Sequence, residues 1–356
     1  MSQSLEKLRS RMSEAGIDAM LVTAIDNVRW LTGFSGSSGA ALVTQSDGIF
    51  ISDSRYREQA GEEVRGLPVE IYQSPKSLAE TMAEAAKNLG LPKLAFEAEH
   101  VSVATFNSWK ERFNGVALEP ASNIADQLRM VKTAEEIEKI KAACGVADSC
   151  WSHVQRMLQP GVSEYDIGLD IEFFIRRLGA QLAFSPIVVS GPRSARPHGY
   201  PSERKLENGD FVTMDFGANV DGYNSDITRT IVIGEPTKRH REIWNAVLEA
   251  QLAAIDAIRP GKGAQEIDAL SREVLAKYDF AKYFGHGLGH GLGRLVHDIG
   301  GMNAVSKDIL EEGQVWTVEP GVYIEAFGGV RIEDDIVVTA DGCELLTHSP
   351  KQISPT

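Results

Sequence analysis

The sequence predicts a two-domain α/β protein, in which an N-terminal α/β domain precedes a larger domain built from two related halves. Three observations lead to this fold class. The chain has 356 residues, which is enough for two hydrophobic cores. Helical and strand patterns alternate through its first third. The remainder carries a weak internal repeat with a spacing of 100 residues between its two Pro-Gly turns.

Short apolar runs define the N-terminal domain. Strands are predicted at 19–22, 40–43, 48–51 and 93–96. Residues 4–15 and 77–89 are predicted to be helical, and 27–36 is predicted to be a turn-rich connection. The N-terminal domain is predicted to span residues 1–125 and the second domain residues 126–356. A long helix opens the second domain, because Thr133 and Glu136 have the spacing of a capping box.

The second domain repeats one pattern. Pro160-Gly161 and Pro260-Gly261 each separate two helical patterns, and each half continues into an apolar strand that ends in an acid. A second acid follows 11 residues later in the first half and 14 later in the second. The four acids are Asp215 and Asp226 in the first half, and Glu319 and Glu333 in the second. The pattern predicts a pseudo-twofold core with four carboxylates at one site. One such acid alone would more often start a turn, but four in one context favour a metal site.

Histidines strengthen this interpretation. His286, His290 and His297 fall within twelve residues, and five glycines surround them, which allows a ligand to approach the backbone closely. Carboxylates with one imidazole suit manganese, cobalt or zinc. Four carboxylates exceed what one catalytic zinc usually takes, so a pair of ions that supports hydrolysis is expected. HExxH, GxSxG and P-loop motifs are absent.

Together these motifs resemble the pita-bread metallopeptidases, which include prolidase, aminopeptidase P, methionine aminopeptidase and creatinase. The matching blocks are 215–218, 222–230, 286–291, 317–321 and 331–334. In the N-terminal domain, 27–34 and 53–56 resemble short bacterial Xaa-Pro peptidases. The resemblance implies a creatinase-like α/β N-terminal domain followed by a pseudo-twofold pita-bread α+β catalytic domain.

The resemblance also implies residue roles. The implied ligands of two divalent ions are Asp215, Asp226, His290, Glu319 and Glu333, with Asp226 and Glu333 bridging. Mn²⁺ is the expected metal, and Co²⁺ and Zn²⁺ are alternatives. The implied catalytic residues are His198, His286, His297 and Glu319. The implied substrate-binding residues are His198, His286, His297 and Arg331. For His198, His286 and Arg331, a role in packing alone remains open.

The activity implied by the resemblance is that of an Xaa-Pro aminopeptidase. It would release the residue before a penultimate proline, with a metal-bridging hydroxide as nucleophile. Prolidase, an Xaa-Pro dipeptidase, is the alternative, and a non-catalytic peptide-binding module on the same fold is a more distant one. Two departures from the family pattern bear on substrate preference: Arg294 stands where an apolar residue is expected, and Asp298-Ile299-Gly300 replaces Glu-x-Pro.

Composition and charge limit the kinds of partner that the protein is expected to bind. The net charge of −14 argues against nucleic acid. The sequence contains no apolar run long enough for a membrane span, and the charged first twenty residues do not resemble a signal peptide, so a cytoplasmic location is predicted. Cys144, Cys150 and Cys343 are expected to be buried and reduced. The resemblance implies a homodimer.

Overall fold

A computed structural model of the protein describes residues 3–355. The chain divides into two compact units, Met1–Arg129 and Met130–Thr356. The predicted boundary between residues 125 and 126 falls inside a helix, Ile124–Met130. Each unit is described by itself below.

The first unit is an α/β domain around one mixed sheet. Its helices are α1 (Gln3–Glu14), α2 (Ile25–Thr32), α3 (Arg57–Glu63), α4 (Leu78–Asn88), α5 (Val103–Arg112) and α6 (Ile124–Met130). Its strands are β1 (Ala19–Val22), β2 (Ala40–Thr44), β3 (Gly48–Asp53), β4 (Val69–Tyr72), β5 (Lys93–Glu97) and β6 (Ala117–Ala121). The strand order is β4-β3-β2-β1-β5-β6, antiparallel on both sides of β2 and parallel elsewhere.

The two faces of this sheet are covered by separate apolar clusters. Met20 packs with α1 residues on one face, while its neighbour Leu21 packs with α4 residues on the other. This alternation follows from the period of two along a strand. The predicted strands and the helices at 4–15 and 77–89 are all present, each within two residues at either end.

The prediction of a turn-rich connection at 27–36 was wrong for its first part. Ile25–Thr32 forms α2, whose residues Val28 and Leu31 are buried. Gly33 ends the helix with φ of 79°, a left-handed conformation that glycine adopts without strain. The cost of so short a helix is offset by packing against the core.

The second unit contains four long helices and several small sheets. The helices are α7 (Ala134–Val154), α8 (Glu164–Arg177), α9 (Lys238–Ala257) and α10 (Ala264–Ala276). The strands are β7 (Gln181–Leu182), β8 (Ile187–Ser190), β9 (Phe211–Phe216), β10 (Ala218–Val220), β11 (Tyr223–Asn224), β12 (Ile227–Val232), β13 (Gly289–Gly291), β14 (Asp298–Met302), β15 (Val315–Val318), β16 (Gly321–Ile324), β17 (Gly328–Arg331), β18 (Asp334–Val338) and β19 (Cys343–Leu345). The sheets are β11-β10-β7, β12-β9-β8, β14-β13-β15-β18-β19 and β16-β17.

The predicted capping box begins α7. The Thr133 hydroxyl accepts a hydrogen bond from the Glu136 N–H at 3.3 Å, and the Glu136 carboxylate accepts from the Thr133 N–H at 2.8 Å. Two helix N–H groups that would otherwise lack partners are thereby satisfied.

Equivalent backbone contacts relate the two halves of this unit. In the first half, Gly161 lies in the connection between α7 and α8, and its N–H donates to the Leu206 carbonyl at 2.9 Å. In the second half, the Gly261 N–H donates to the Leu310 carbonyl at 2.8 Å. Helices α7 and α8 pack on the β12-β9-β8 sheet, and α9 and α10 pack on strands of the second half. The faint sequence repeat is thus a structural repeat.

Within residues 3–355, no helix combines the length and apolarity needed to cross a bilayer. Cys144 and Cys150 are buried free thiols, as expected, whereas Cys343 is only partly buried.

Candidate metal centre

All nine residues that the sequence singled out line one cavity in the second unit. Its volume is about 450 Å³. The nine are His198, Asp215, Asp226, His286, His290, His297, Glu319, Arg331 and Glu333. Apolar and polar residues that sequence reasoning missed complete the wall: Phe184, Ile187, Pro197, Val296 and Asn303.

The first half brings its two acids together through an antiparallel pair. Asp215 lies near the end of β9, and Asp226 immediately precedes β12. Thr228 stands directly opposite Asp215 in the register of these strands. The start of β12 therefore lies beside the end of β9, and both carboxylates reach the same cavity.

The second half supplies three further side chains. His290 lies in β13, and Glu319 directly follows β15, which pairs with β13. Glu333 lies between β17 and β18. The chain breaks between these strands, because Arg331 ends β17 of the two-stranded sheet and Asp335 lies in β18 of the five-stranded sheet. The break turns the Glu333 side chain into the cavity.

The five predicted ligands are close in space. Asp226, His290 and Glu333 each offer a ligand atom, and these atoms lie within 4.8 Å of one another. His290 Nε2 is 3.4 Å from Glu319 Oε1 and 3.7 Å from Asp226 Oδ2. Asp215 reaches the same group through Arg331, whose guanidinium donates to Asp215 Oδ2 at 2.6 Å.

The pKa values of the predicted ligands are shifted because several acidic side chains lie close together in a buried site. Burial and the neighbouring Glu333 raise the pKa of Asp226 well above its usual value. Burial and the charge of Glu319 do the same to the pKa of Glu333. Burial also raises the pKa of Glu319 to about 8, although Arg331 opposes this shift. Burial and the nearby His297 lower the pKa of His290 to about 4, so its imidazole is neutral near pH 7.

Several features of this donor set fit a divalent cation. The Oδ1 atoms of Asp215 and Asp226 are buried and have no hydrogen-bond partner, an arrangement that is costly unless a cation satisfies them. The His290 Nδ1–H donates to the Gly291 carbonyl at 3.1 Å, which leaves the Nε2 lone pair facing the acids. Oxygen donors with one neutral imidazole suit manganese-like divalent ions.

A hydrogen-bonded chain ties the cavity wall together. Arg331 donates to the Tyr323 hydroxyl at 2.9 Å. This oxygen lies 2.9 Å from His286 Nε2, so the Tyr323 O–H donates to the imidazole. The His286 Nδ1–H donates to the Gly287 carbonyl at 2.8 Å. Burial lowers the pKa of His286 to about 4, which agrees with this neutral tautomer. Tyr323 was not predicted from the sequence. The one sequence feature that points to it is its position four residues after the predicted ligand Glu319.

Two further polar residues fix the acids. Thr228 donates its hydroxyl to Glu333 Oε2 at 2.5 Å and accepts from Arg331 Nε at 3.0 Å. Asp335 Oδ2 accepts from the Asp226 N–H at 2.9 Å. These contacts restrict the Glu333 side chain and the Asp226 backbone, which lowers the entropy lost on metal binding.

One of the two departures noted in the sequence lies away from the cavity. The Arg294 guanidinium stacks over the Tyr223 ring, 5.0 Å from its centroid, and does not belong to the wall of the pocket. The effect of Arg294 on substrate preference therefore stays a prediction without a direct contact behind it.

Sequence comparison places the chain among known proteins. The profile of Metallopeptidase family M24 matches residues 138–340, more than half of the chain. The chain belongs to this family. The profile of the Creatinase/Prolidase N-terminal domain matches residues 5–131. The M24 protein is therefore a hydrolase whose family implies divalent metal ions, with a creatinase-type N-terminal domain and a pita-bread catalytic domain.

Individual relatives span the whole chain. The uncharacterized peptidase YqhT of Bacillus subtilis is 43% identical, with 98% of this chain and 99% of the relative covered. The Xaa-Pro dipeptidase of Pyrococcus furiosus is 36% identical, with 99% and 100% covered. Among solved structures, the Xaa-Pro dipeptidase from Bacillus anthracis superposes with a TM-score of 0.95 at 42% identity, covering 99% of each chain. The X-Pro aminopeptidase from Thermotoga maritima gives 0.90 at 34% identity, covering 97% and 99%.

Proposed function

We propose that this M24 peptidase is an Xaa-Pro dipeptidase, which hydrolyses the bond between the first residue and a C-terminal proline. The observation that supports metal-dependent hydrolysis is the cluster of four carboxylates and one neutral imidazole in a cavity of about 450 Å³. The sequence analysis favoured an aminopeptidase. Relatives and solved structures named Xaa-Pro dipeptidase or prolidase instead favour the alternative.

In this proposal, the five clustered ligands would hold a pair of divalent ions, with Mn²⁺ as the expected metal. Asp226 and Glu333 are the bridging candidates that the family resemblance implies, and each offers a carboxylate oxygen within 4.8 Å of a His290 ring nitrogen. When bound, such ions polarise the scissile carbonyl and lower the pKa of water, which is the usual metal-assisted route to hydrolysis.

The protein's own side chains orient the substrate. His198 and His297 line the cavity. In this proposal their imidazoles would stabilise the carbonyl oxygen on which negative charge develops. His286 suits a positioning role better than a proton shuttle, because both of its ring nitrogens are engaged by Tyr323 and Gly287. Arg331 orients Asp215 directly and Glu333 through Thr228. Glu319 would take part in proton transfer, the role that the family resemblance implies.

A substrate panel tests the proposal. Manganese-loaded protein is assayed with Xaa-Pro dipeptides, Xaa-Pro-Yaa tripeptides, longer peptides and Xaa-Ala controls. A dipeptidase gives its highest kcat/KM on Xaa-Pro and little on Xaa-Ala. Preference for tripeptides and longer peptides would instead establish the X-Pro aminopeptidase, which the Thermotoga maritima structure keeps as the second candidate. Equal rates on Xaa-Pro and Xaa-Ala would contradict both.

The cytoplasmic location and the homodimer remain predictions. Size-exclusion chromatography with light scattering measures the oligomeric state directly.

A further inference from the structure

Dipeptide hydrolysis requires the site to accept a full negative charge. An Xaa-Pro dipeptide carries a free carboxylate on its proline, close to the scissile bond, whereas a longer peptide continues there as a neutral amide. Four acidic side chains already line the cavity. The proposed pair of divalent ions would balance these four acids, which leaves the substrate carboxylate without a cation of its own, and arginine binds carboxylates through paired N–H donors.

Arg331 is not free to supply that cation. Among the described residues that line the cavity, it is the single lysine or arginine. Its guanidinium already donates to Asp215, Tyr323 and Thr228 at 2.6, 2.9 and 3.0 Å. Its side chain is only 4% exposed. Arg331 is therefore committed to holding the wall of the site.

Residues 190–204, the segment that carries His198, contain three arginines, two of which are paired with acids. Arg193 Nε lies 3.1 Å from Glu164, and Arg204 Nη2 lies 2.9 Å from Asp210. Arg196 is exposed, and within residues 3–355 it forms no hydrogen bond or ion pair through its side chain. It is the unpaired cation of this segment.

Arg196 begins the turn that enters the cavity. The Gly199 N–H donates to the Arg196 carbonyl at 3.1 Å, so Pro197 and His198 form the corners of the turn. Both corner residues line the cavity. Pro197 also contacts Arg331, since its carbonyl accepts from the guanidinium at 3.4 Å. The backbone of Arg196 thus lies directly beside the cavity wall.

Glu164 anchors both ends of this segment. Its buried carboxylate accepts from the N–H and the hydroxyl of Ser190, each at 2.7 Å. It also accepts from the N–H and the hydroxyl of Ser202, at 3.1 and 2.6 Å. In the middle of the segment, the Ser194 hydroxyl accepts from the Gly329 N–H at 2.8 Å. The backbone is therefore fixed, and binding a carboxylate needs to order only the Arg196 side chain.

We propose that Arg196 is a specificity-determining residue whose guanidinium binds the free α-carboxylate of an Xaa-Pro dipeptide, an inference that rests on the proposed dipeptidase function. The exposed guanidinium supplies the charge that Arg331 cannot. It selects substrates that end at proline over peptides that continue as amides.

The test compares one substrate with its neutral analogue. Manganese-loaded wild type, Arg196→Gln and Arg196→Lys are assayed with Ala-Pro and with its C-terminal amide. The matched control is Arg177→Gln, because Arg177 is likewise exposed and without a side-chain partner among the described residues. The quantity measured is the ratio of kcat/KM for the free acid to kcat/KM for the amide.

For Arg196→Gln, we expect this ratio to fall about tenfold or more, mainly through KM, as loss of a charged hydrogen bond predicts. Arg196→Lys should keep part of the preference, and Arg177→Gln should keep the wild-type ratio. An unchanged ratio in Arg196→Gln, with wild type still preferring Ala-Pro, overturns the role of Arg196 alone. Wild type that prefers the amide, or cleaves neither, overturns the dipeptidase function itself.

Discussion

Replacing Glu164 with glutamine tests how the segment bearing His198 is held. The side chain of Glu164 is fully buried, and each carboxylate oxygen accepts from a backbone N–H and a serine hydroxyl. Glutamine keeps the shape but converts one acceptor into a donor. Serine hydroxyls can rotate to accept, whereas a backbone N–H of Ser190 or Ser202 cannot.

The expected loss of stability follows from these contacts. One buried N–H left without an acceptor costs about 1–3 kcal/mol, and the weakened ion pair with Arg193 adds about 1.5–3 kcal/mol. We therefore expect Glu164→Gln to lower the free energy of unfolding by about 3 kcal/mol. For a unit of this size, that corresponds to a fall in Tm of about 6–12 °C.

Thermal and urea unfolding of the full chain measure this loss. The control is Glu172→Gln, which breaks an exposed ion pair with Arg176 on the same helix. Such a pair contributes at most about 0.5 kcal/mol. The reasoning is refuted if the two variants unfold at the same temperature and urea concentration. A stable Glu164→Gln would mean that the segment is held by its other contacts.

Two further predictions concern α9 and the metal centre. Burial lowers the pKa of His240, whose Nδ1 accepts from the Thr237 N–H at 3.2 Å. The folded state holds His240 in its neutral form. The stability that this neutral imidazole contributes is therefore present above a pH of about 6.5 and is lost as the pH falls towards the lower folded-state pKa. His240→Gln, which can still complete the capping box, should flatten the dependence of unfolding free energy on pH between about 7 and 5.5; an unchanged slope in urea titrations would contradict this. Glu333→Gln should lower kcat by more than about 100-fold and weaken Mn²⁺ binding while the far-UV circular dichroism stays unchanged; near-normal turnover would remove Glu333 from the ligand set.

The sequence predicted those features in which a polar or charged group costs free energy unless it has a binding partner. Acids that end apolar strands, such as Asp215, need a compensating charge when they are buried, so four of them in one repeated pattern pointed to one site before any fold was known. The Thr133–Glu136 capping box was predictable because all of its contacts are local. The nine predicted residues line one cavity.

The features that sequence reasoning missed depend on contacts between distant residues. Helix α2 is stabilised by burial of Val28 and Leu31. The neighbouring turn-forming residues made the sequence of this helix look like a turn-rich connection. Glu164 meets Ser202 across 38 positions, so no local pattern reveals the contact. The role of Tyr323 becomes visible only when strand pairing brings it to His286 and Arg331. The choice between dipeptidase and aminopeptidase came from relatives, since both activities require the same ligands.

The most direct test of the central claim is to measure bound metal and Xaa-Pro hydrolysis on the same samples. Protein is stripped with a chelator and titrated with Mn²⁺, and its metal content is determined by elemental analysis at each step. Activity should vanish in the stripped protein, return with bound metal, and reach its maximum when each chain holds a pair of ions. Stripped protein that contains no divalent ion yet cleaves Xaa-Pro dipeptides at an undiminished rate would contradict the account.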